Sequence, residues 1–537
     1  MNSAPSASDR PRPDAGAPPA ADPPSSAYQT FHPLVQRWIY DSGWRRLRDA
    51  QERAAAPVLA GDLDVIIAAG TASGKTEAAL LPICTALLRA ADRGERVPGV
   101  DVLYVSPLKA LINDQYDRIR RLGEPMDIPV HRWHGDVASS SKSRVMRAPD
   151  GILLITPESL EALFVNHGHR ISSLFRALRY VVVDELHCFL GTERGAQLRA
   201  LLHRLELAVR RPVPRIALSA TLGDLTDAAE YLRPGAGGRV VPIASTADTG
   251  EIRLQVRGYV AAGLGAGLLR APSDAGRDAP GTGDNLETHH LVPIADHLFR
   301  TMRSNDNLVF VNSRAAVETY TDMLNRRKQA TMVRTEFLAH HGSLAKEIRE
   351  HVEERLKDPT TPVTAVCTST LELGIDVGSV DSVAQIGSPL TVSSLRQRLG
   401  RSGRRSGQAA VLRLYVSEAE LTANTPPPDA LRAELFQTVA MVELLLDGWY
   451  ERPDRTGLHL STLVQQLLSL LAQHGGLRAA TAYATLCDRG PFARIDRVTF
   501  LALLRDLGRA GLIRQDSEGT LLPGDEGERL LGHYSFY

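Results

Sequence analysis

The run Val65-Ile66-Ile67-Ala68-Ala69-Gly70-Thr71-Ala72-Ser73-Gly74-Lys75-Thr76-Glu77-Ala78-Ala79-Leu80-Leu81 joins an apolar strand, a glycine loop and a helix start. Gly70 to Thr76 fits Gly-x-x-x-x-Gly-Lys-[Ser/Thr], a phosphate-binding loop, and both flanks have the required type. Gly70, Thr71, Ala72, Ser73 and Gly74 are expected to turn backbone N–H groups inward as an anion nest at a helix N-terminus. Lys75 is expected on the β- and γ-phosphates and Thr76 on Mg²⁺. Only six of the 62 basic residues are lysine, at positions 75, 109, 142, 328, 346 and 357. One of those few occupies the loop, where a compact ammonium suits a phosphate nest better than a planar guanidinium.

Outward from the loop, short β-rich runs alternate with helical patterns: Asp64–Ala69, Asp101–Ser106, Gly151–Thr156, Tyr180–Asp184 and Arg215–Ser219. A second alternation has strands near Asn307–Asn312, Val363–Thr368, Ser382–Ile386 and Ala410–Val416. Such alternation predicts parallel sheets with crossover helices. In the first set, Val181-Val182-Val183-Asp184-Glu185-Leu186-His187 is a buried-type strand ending in two carboxylates. Asp184 is expected to hold Mg²⁺, and Glu185 to orient or deprotonate an attacking water.

Composition excludes little. The 537 residues exceed one core and suggest about three domains; a net charge of zero gives a nucleic-acid partner no whole-chain support. Cys84, Cys188, Cys367 and Cys487 are scattered and read as reduced thiols of a cytoplasmic protein. No membrane-length apolar run or signal-peptide core is seen.

The expected organisation is a tail without structure (1–28), an ATP-binding domain (29–248), a second α/β domain (249–420), a linker helix (421–455) and a C-terminal unit (456–537). Gly263–Asn285 reads as a flexible loop. The C-terminal unit offers helices near Ser461–Gln473, Arg478–Asp488 and Arg497–Ala510, then a hairpin around Ser517-Glu518-Gly519. That pattern fits a winged helix, with a plain helical bundle as the alternative. Arg497, Arg505 and Arg509 can share one helix face as a strand-binding or merely solvated surface, with Leu501, Leu504 and Leu507 mainly opposite.

Further motifs follow in order. They are Gln51 after Trp44 and Arg46, Ser106-Pro107-Leu108-Lys109-Ala110-Leu111, Trp133-His134-Gly135-Asp136, Thr156-Pro157-Glu158, and Ser219-Ala220-Thr221. The second α/β unit carries Phe310-Val311-Asn312-Ser313-Arg314, Thr368-Ser369-Thr370-Leu371-Glu372-Leu373-Gly374-Ile375-Asp376 and Gln397-Arg398-Leu399-Gly400-Arg401-Ser402-Gly403-Arg404. With the Asp-Glu-Leu-His box, this series resembles the superfamily 2 helicases, and within them the Lhr-like (large helicase-related) group.

The resemblance implies an α/β fold class of two tandem RecA-like parallel-sheet domains, then a helical linker and a winged-helix domain. It implies that Gln51 reads adenine, Gly374 and Asp376 sit near the nucleotide, and Ser219 and Thr221 couple the domains. Gln397, Arg401 and Arg404 would reach the nucleotide across the interdomain cleft, the two arginines as fingers on the γ-phosphate. Pro107, Lys109, Gly135, Thr156, Asn312, Ser313, Arg314, Thr368 and Thr370 would contact a nucleic-acid backbone, which needs few cations and little base recognition.

The implied activity is ATP- and Mg²⁺-dependent 3′→5′ movement on single-stranded or tailed duplex DNA, with a place in DNA repair. The alternatives are an RNA or RNA–DNA hybrid remodeller, or an ATP-gated binding subunit with protein partners. Larger Lhr-like proteins continue past the winged helix into a β-rich domain, whereas this sequence stops at His533-Tyr534-Ser535-Phe536-Tyr537. A compact member, a truncated chain and one half of a split system are all consistent with that departure.

Overall fold

In the computed structural model, β1 (Asp64–Ala68) sends Val65 and Ile67 into one buried layer and Ile66 and Ala68 into another on the opposite face. A strand covered on both faces must be apolar along its whole length, which explains the unbroken runs in the sequence. The structure describes residues 26–70, 73–219, 224–244, 251–261, 291–331, 333–358, 360–372, 378, 380–403, 408–423, 425–454 and 456–537. The loop expected at Gly263–Asn285, and Thr71, Ala72, Thr221, Gly374, Asp376 and Arg404, lie outside these residues.

Domain 1 contains β1, β2 (Val102–Val105), β3 (Val130–Trp133), β4 (Ile152–Ile155), β5 (Tyr180–Val183), β6 (Arg215–Ser219) and β7 (Val240–Ala244). They form one parallel sheet in the order β3-β4-β2-β5-β6-β1-β7. Domain 2 contains β8 (Ile252–Ala261), β9 (Asn307–Phe310), β10 (Glu336–His340), β11 (Val363–Cys367), β12 (Ser382–Ile386) and β13 (Ala410–Ala419). Its parallel order is β10-β11-β9-β12-β13-β8. Shifting each label by seven superimposes this order on the first six strands of domain 1. The two domains therefore share one winding, and loops at equivalent strand ends occupy equivalent places. Both halves of the RecA-like architecture are present.

Chain segments beyond the sheets dock where a linear domain map does not anticipate. The helix Ser26–Thr30 begins inside the segment expected to lack structure, because Ala27 and Phe31 supply buried apolar surface to domain 1. The linker helix Ala433–Leu446 lies on domain 2, with Val442 and Leu445 in that domain's core and Glu434 accepting from Ser388 N at 2.9 Å. Glu451 then caps the helix Val392–Leu399 by accepting from Val392 N and Ser393 N.

The C-terminal unit comprises the helices Leu460–His474, Ala479–Tyr483 (extended by a wide turn through Asp488) and Arg497–Arg509. A small antiparallel sheet of β14 (Leu477–Arg478), β15 (Ile513–Gln515) and β16 (Thr520–Pro523) follows the order β14-β16-β15. This unit packs on domain 1: Ala196 and Ala200 of the helix Glu193–Val209 share a core with Leu463, Leu467 and Leu471. No helix among the described residues is long and apolar enough to cross a membrane.

Candidate nucleotide site and strand track

The glycine loop runs from β1 into the helix Lys75–Asp92. Gly74 sits at that helix's N-cap with φ 78°, a left-handed conformation that glycine adopts without penalty. A Cβ at Gly74 would lie 2.4 Å from Gln51 Nε2, so the position is closed to side chains on two counts. Buried Gln51 accepts from Arg48 N at 3.0 Å and donates to Gly74 O at 3.4 Å. The structure thus places the expected adenine-reading glutamine directly on the loop, beside a cavity of about 190 Å³ lined by Trp44, Arg46, Arg48 and Gln51. Ser73 Oγ donates to Gly70 O at 2.7 Å, and Lys75 Nζ donates to Ala69 O at 2.8 Å.

The acidic turn follows β5. Asp184 Oδ1 accepts from Glu185 N at 3.0 Å, and Oδ2 accepts from the buried Tyr104 hydroxyl at 2.8 Å. Burial pushes the Asp184 carboxyl up to about 7, the Glu185 charge adds to this, and Tyr104 and Lys75 oppose it. A buried carboxylate on which the Lys75 ammonium of the loop acts fits a divalent cation shared with phosphates. Among the described residues no cluster of three or more His, Cys, Asp or Glu side chains could hold a metal ion.

Glu185 adopts φ 47°, an uncommon left-handed conformation for a non-glycine residue that costs roughly 1–2 kcal/mol. Its Oε2 lies 3.5 Å from His187 Nδ1, which is also 3.1 Å from Ser219 Oγ. The acidic turn and Ser219 therefore meet through one imidazole. Burial lowers the His187 pKa despite the Glu185 charge, so the ring is neutral at pH 7.

Strand-contact candidates gather at the equivalent strand ends. A Cβ on Gly135 would sit 3.0 Å from Lys109 Nζ, and Lys109 pairs with Asp136 at 3.3 Å, which joins two motifs. Pro107 lies after β2 and Thr156 after β4. The Thr156 hydroxyl is occupied: it caps the helix Pro157–His167 by accepting from Ser159 N at 3.3 Å. In domain 2, Thr368 and Thr370 follow β11, and Thr370 Oγ1 lies 2.8 Å from His340 Nδ1. Asn312 donates to Ser388 O at 2.9 Å, Ser313 Oγ accepts from Ala316 N at 3.1 Å, and Arg314 is exposed.

The arginine motif begins in the last turn of the helix Val392–Leu399. Arg401 is buried and donates to Glu372 O, at 3.2 Å from Nε and 2.7 Å from Nη2, inside its own domain. Gln397 Oε1 is buried without a hydrogen-bond partner among the described residues, an acceptor left for a ligand or water.

Several residues were absent from the sequence reading. Arg398 grips Glu372 Oε2 at 3.0 and 2.7 Å and stacks over Phe310 at 4.8 Å, tying the segment after β11 to the arginine motif. Its signal was present, since it is the second residue of the arginine motif. Tyr104, the only aromatic in an aliphatic strand, was the other available clue. His341-Gly342 follows β10 as His134-Gly135 follows β3, a correspondence visible once the strand orders are aligned. Domain 2 packs on the helix Lys109–Gly123, where Leu111 enters the domain 2 core and Lys357 lies 3.8 Å from Asp114.

Comparison with known proteins agrees with this geometry. Residues 48–228 match the DEAD/DEAH box helicase family and residues 290–406 match the helicase conserved C-terminal domain. The chain is 32% identical over 407 residues to the ATP-dependent helicase Lhr-Core of Methanothermobacter thermautotrophicus, covering 73% of this chain and 44% of that protein. It is 30% identical over 505 residues to the Lhr helicase/uracil glycosylase of Escherichia coli, covering 81% and 31% respectively. The chain thus spans less than half the length of these curated relatives. Among solved structures, the Mycobacterium smegmatis helicase Lhr bound to ssDNA and AMP-PNP has a TM-score of 0.73 at 27% identity, over 94% of this chain and 62% of that one.

Proposed function

The chain belongs to the superfamily 2 helicases of the Lhr-like group, and from that premise we propose a strand-stimulated ATPase that moves 3′→5′ along single-stranded DNA. The observation that carries this reading is that the glycine loop and the acidic turn leave the C-terminal ends of two central strands of one sheet, β1 and β5, with the Lys75 ammonium acting on Asp184.

In this reading Lys75 leaves the Ala69 carbonyl for the β- and γ-phosphates, and Gln51 accepts and donates along the adenine edge. Thr76 and Asp184 would hold Mg²⁺, which supplies charge neutralisation to the transferring phosphoryl group. Glu185, pre-turned by its left-handed backbone, orients water and draws off its proton. His187 and Ser219 sense that change, and Gln397 adds a contact from domain 2. Arg401 and Arg404 would serve as fingers, which for Arg401 requires exchanging the Glu372 carbonyl for phosphate oxygen. The strand would cross both domains over Pro107, Lys109, Gly135 and Thr156, then Asn312, Ser313, Arg314, Thr368 and Thr370. The C-terminal helices and small sheet form the winged helix of this reading, with the β15–β16 hairpin as its wing.

The test is ATP hydrolysis without nucleic acid, with single-stranded DNA and with single-stranded RNA, followed by unwinding of 3′- and 5′-tailed duplexes. DNA stimulation and unwinding of the 3′-tailed duplex are expected. Stimulation by RNA alone would replace the DNA reading with a remodeller. Stable ATP-dependent binding without unwinding would make the chain a gated subunit.

A further inference from the structure

The helix Glu193–Val209 follows the turn that carries Asp184 and Glu185 after the short 3-10 helix Leu186–Cys188 and a four-residue turn, and its first two residues point to different parts of the molecule. Arg194 faces the strand track. Its Nε and Nη2 meet Glu158 Oε1 and Oε2 at 2.5 and 3.0 Å, and Nη2 also donates to the Pro107 carbonyl. One guanidinium therefore joins the loop after β2, the helix capped by Thr156 and the helix that leaves the acidic turn. Its plane also lies over Phe189, 5.7 Å from the ring centroid. Glu193 faces the other way. Its carboxylate accepts from Ser461 Oγ at 3.2 Å and from Thr462 Oγ1, and it lies 2.9 Å from His459 Nδ1. Those three residues form the entry to the C-terminal unit.

We propose that Arg194 is a positioning residue that sets the spacing of Pro107 and Thr156, so that the acidic turn and the strand track move as one piece. Glu193 carries the same movement into the C-terminal unit. This rests on the strand-stimulated reading above. An ordinary exposed ion pair contributes little, but a three-point contact to a carboxylate and a carbonyl needs the planar fork of arginine. Lysine keeps the charge and loses the fork. Close packing fixes the helix start as well: a Cβ on Gly195 would lie 1.8 Å from the Phe189 carbonyl.

The test compares Arg194→Gln and Arg194→Lys with the wild-type chain. Hydrolysis without DNA, the KM for ATP and the thermal midpoint should stay near wild type in both. The single-stranded DNA concentration giving half-maximal stimulation should rise about tenfold in both variants. Adding Glu158→Gln to Arg194→Gln should bring little further loss, because the contact is already broken in the single variant. Recovery of wild-type DNA response in Arg194→Lys would reduce the residue to a surface charge and overturn the proposal. A wild-type half-saturating DNA concentration in Arg194→Gln would overturn it too. So would a raised KM for ATP or a lowered midpoint, which would mark general support of the fold. A wild-type chain without any DNA response overturns the functional reading itself, and this inference with it.

Discussion

Asp184 shows what one buried carboxyl does to the chemistry around it. Burial, then the Glu185 charge, raises it to about 7, against about 3.9 in an unfolded chain. Between those values the folded state holds a proton that the unfolded state has lost, so this group's contribution to stability falls as pH rises from about 4 to 7. Cation binding needs the ionised form. Mg²⁺–nucleotide affinity should therefore rise with pH and level off above about 7, and Asp184→Asn should bind weakly with no such step. A nucleotide-fluorescence titration from pH 5.5 to 8 checks this; the same step in the Asn variant would assign it to another group. The neighbouring roles separate by substitution. Lys75→Ala should lose both ATP binding and turnover, because the phosphates lose their main cation. Glu185→Gln should retain ATP and DNA binding but lose turnover, because the side chains of Asp184 and Thr76 remain. Wild-type turnover in Glu185→Gln would remove that carboxylate from the chemistry.

At the scale of elements, the helix Arg497–Arg509 buries Phe500, Leu504 and Leu507 against the C-terminal core. Leu501, expected mainly inside, is 47% exposed, and Val498 is 77% exposed. Phe500 takes the buried place on that side instead. Exposed Val498 and Leu501 thus lie beside exposed Arg497, Arg505 and Arg509, a mixed face suited to phosphate and base contact. Replacing the three arginines with alanine should weaken DNA affinity and flatten its salt dependence while leaving DNA-free hydrolysis intact. Unchanged affinity at matched salt would leave this face to protein packing.

The same logic explains which strands were legible. Central β1, β2, β4, β5 and β6 announced themselves as apolar runs, and so did β9, β11, β12 and β13. Missing were β3, β7, β8 and β10, each at a sheet edge with a single partner. β3 reads Val-His-Arg-Trp and β8 alternates Ile-Arg-Leu-Gln-Val-Arg, because an edge strand keeps polar side chains at water. The glycine loop and acidic turn were legible because phosphate chemistry restricts residue type and spacing together. Arg398, Tyr104 and Arg194 act through long-range contacts, which local spacing does not encode.

For the whole molecule, the decisive contact lies where the C-terminal unit meets domain 1. Arg204 and Glu161 pair at 3.3 Å with side chains 1% and 0% exposed. Glu161 also accepts from Gln197, Gln466 and Ser469, and Arg204 reaches Gln466, Ser469 and Gln473. The last three partners belong to the helix Leu460–His474, so the ion pair is fully satisfied only when the C-terminal unit is docked. Cleft closure should therefore move domain 2, with its linker helix, against a block made of domain 1 and the C-terminal unit. Deleting residues 456–537 would strip partners from both charges, so point changes give the cleaner test. Glu161→Leu leaves Arg204 buried and unpaired, and should cost about 3–5 kcal/mol in the unfolding transition of that block. Glu161→Leu with Arg204→Met replaces both charges by apolar groups of similar volume and should recover most of the loss. Equal destabilisation in the single and double variants, measured by denaturant unfolding of the full chain, would show that packing rather than the charge network holds the unit in place.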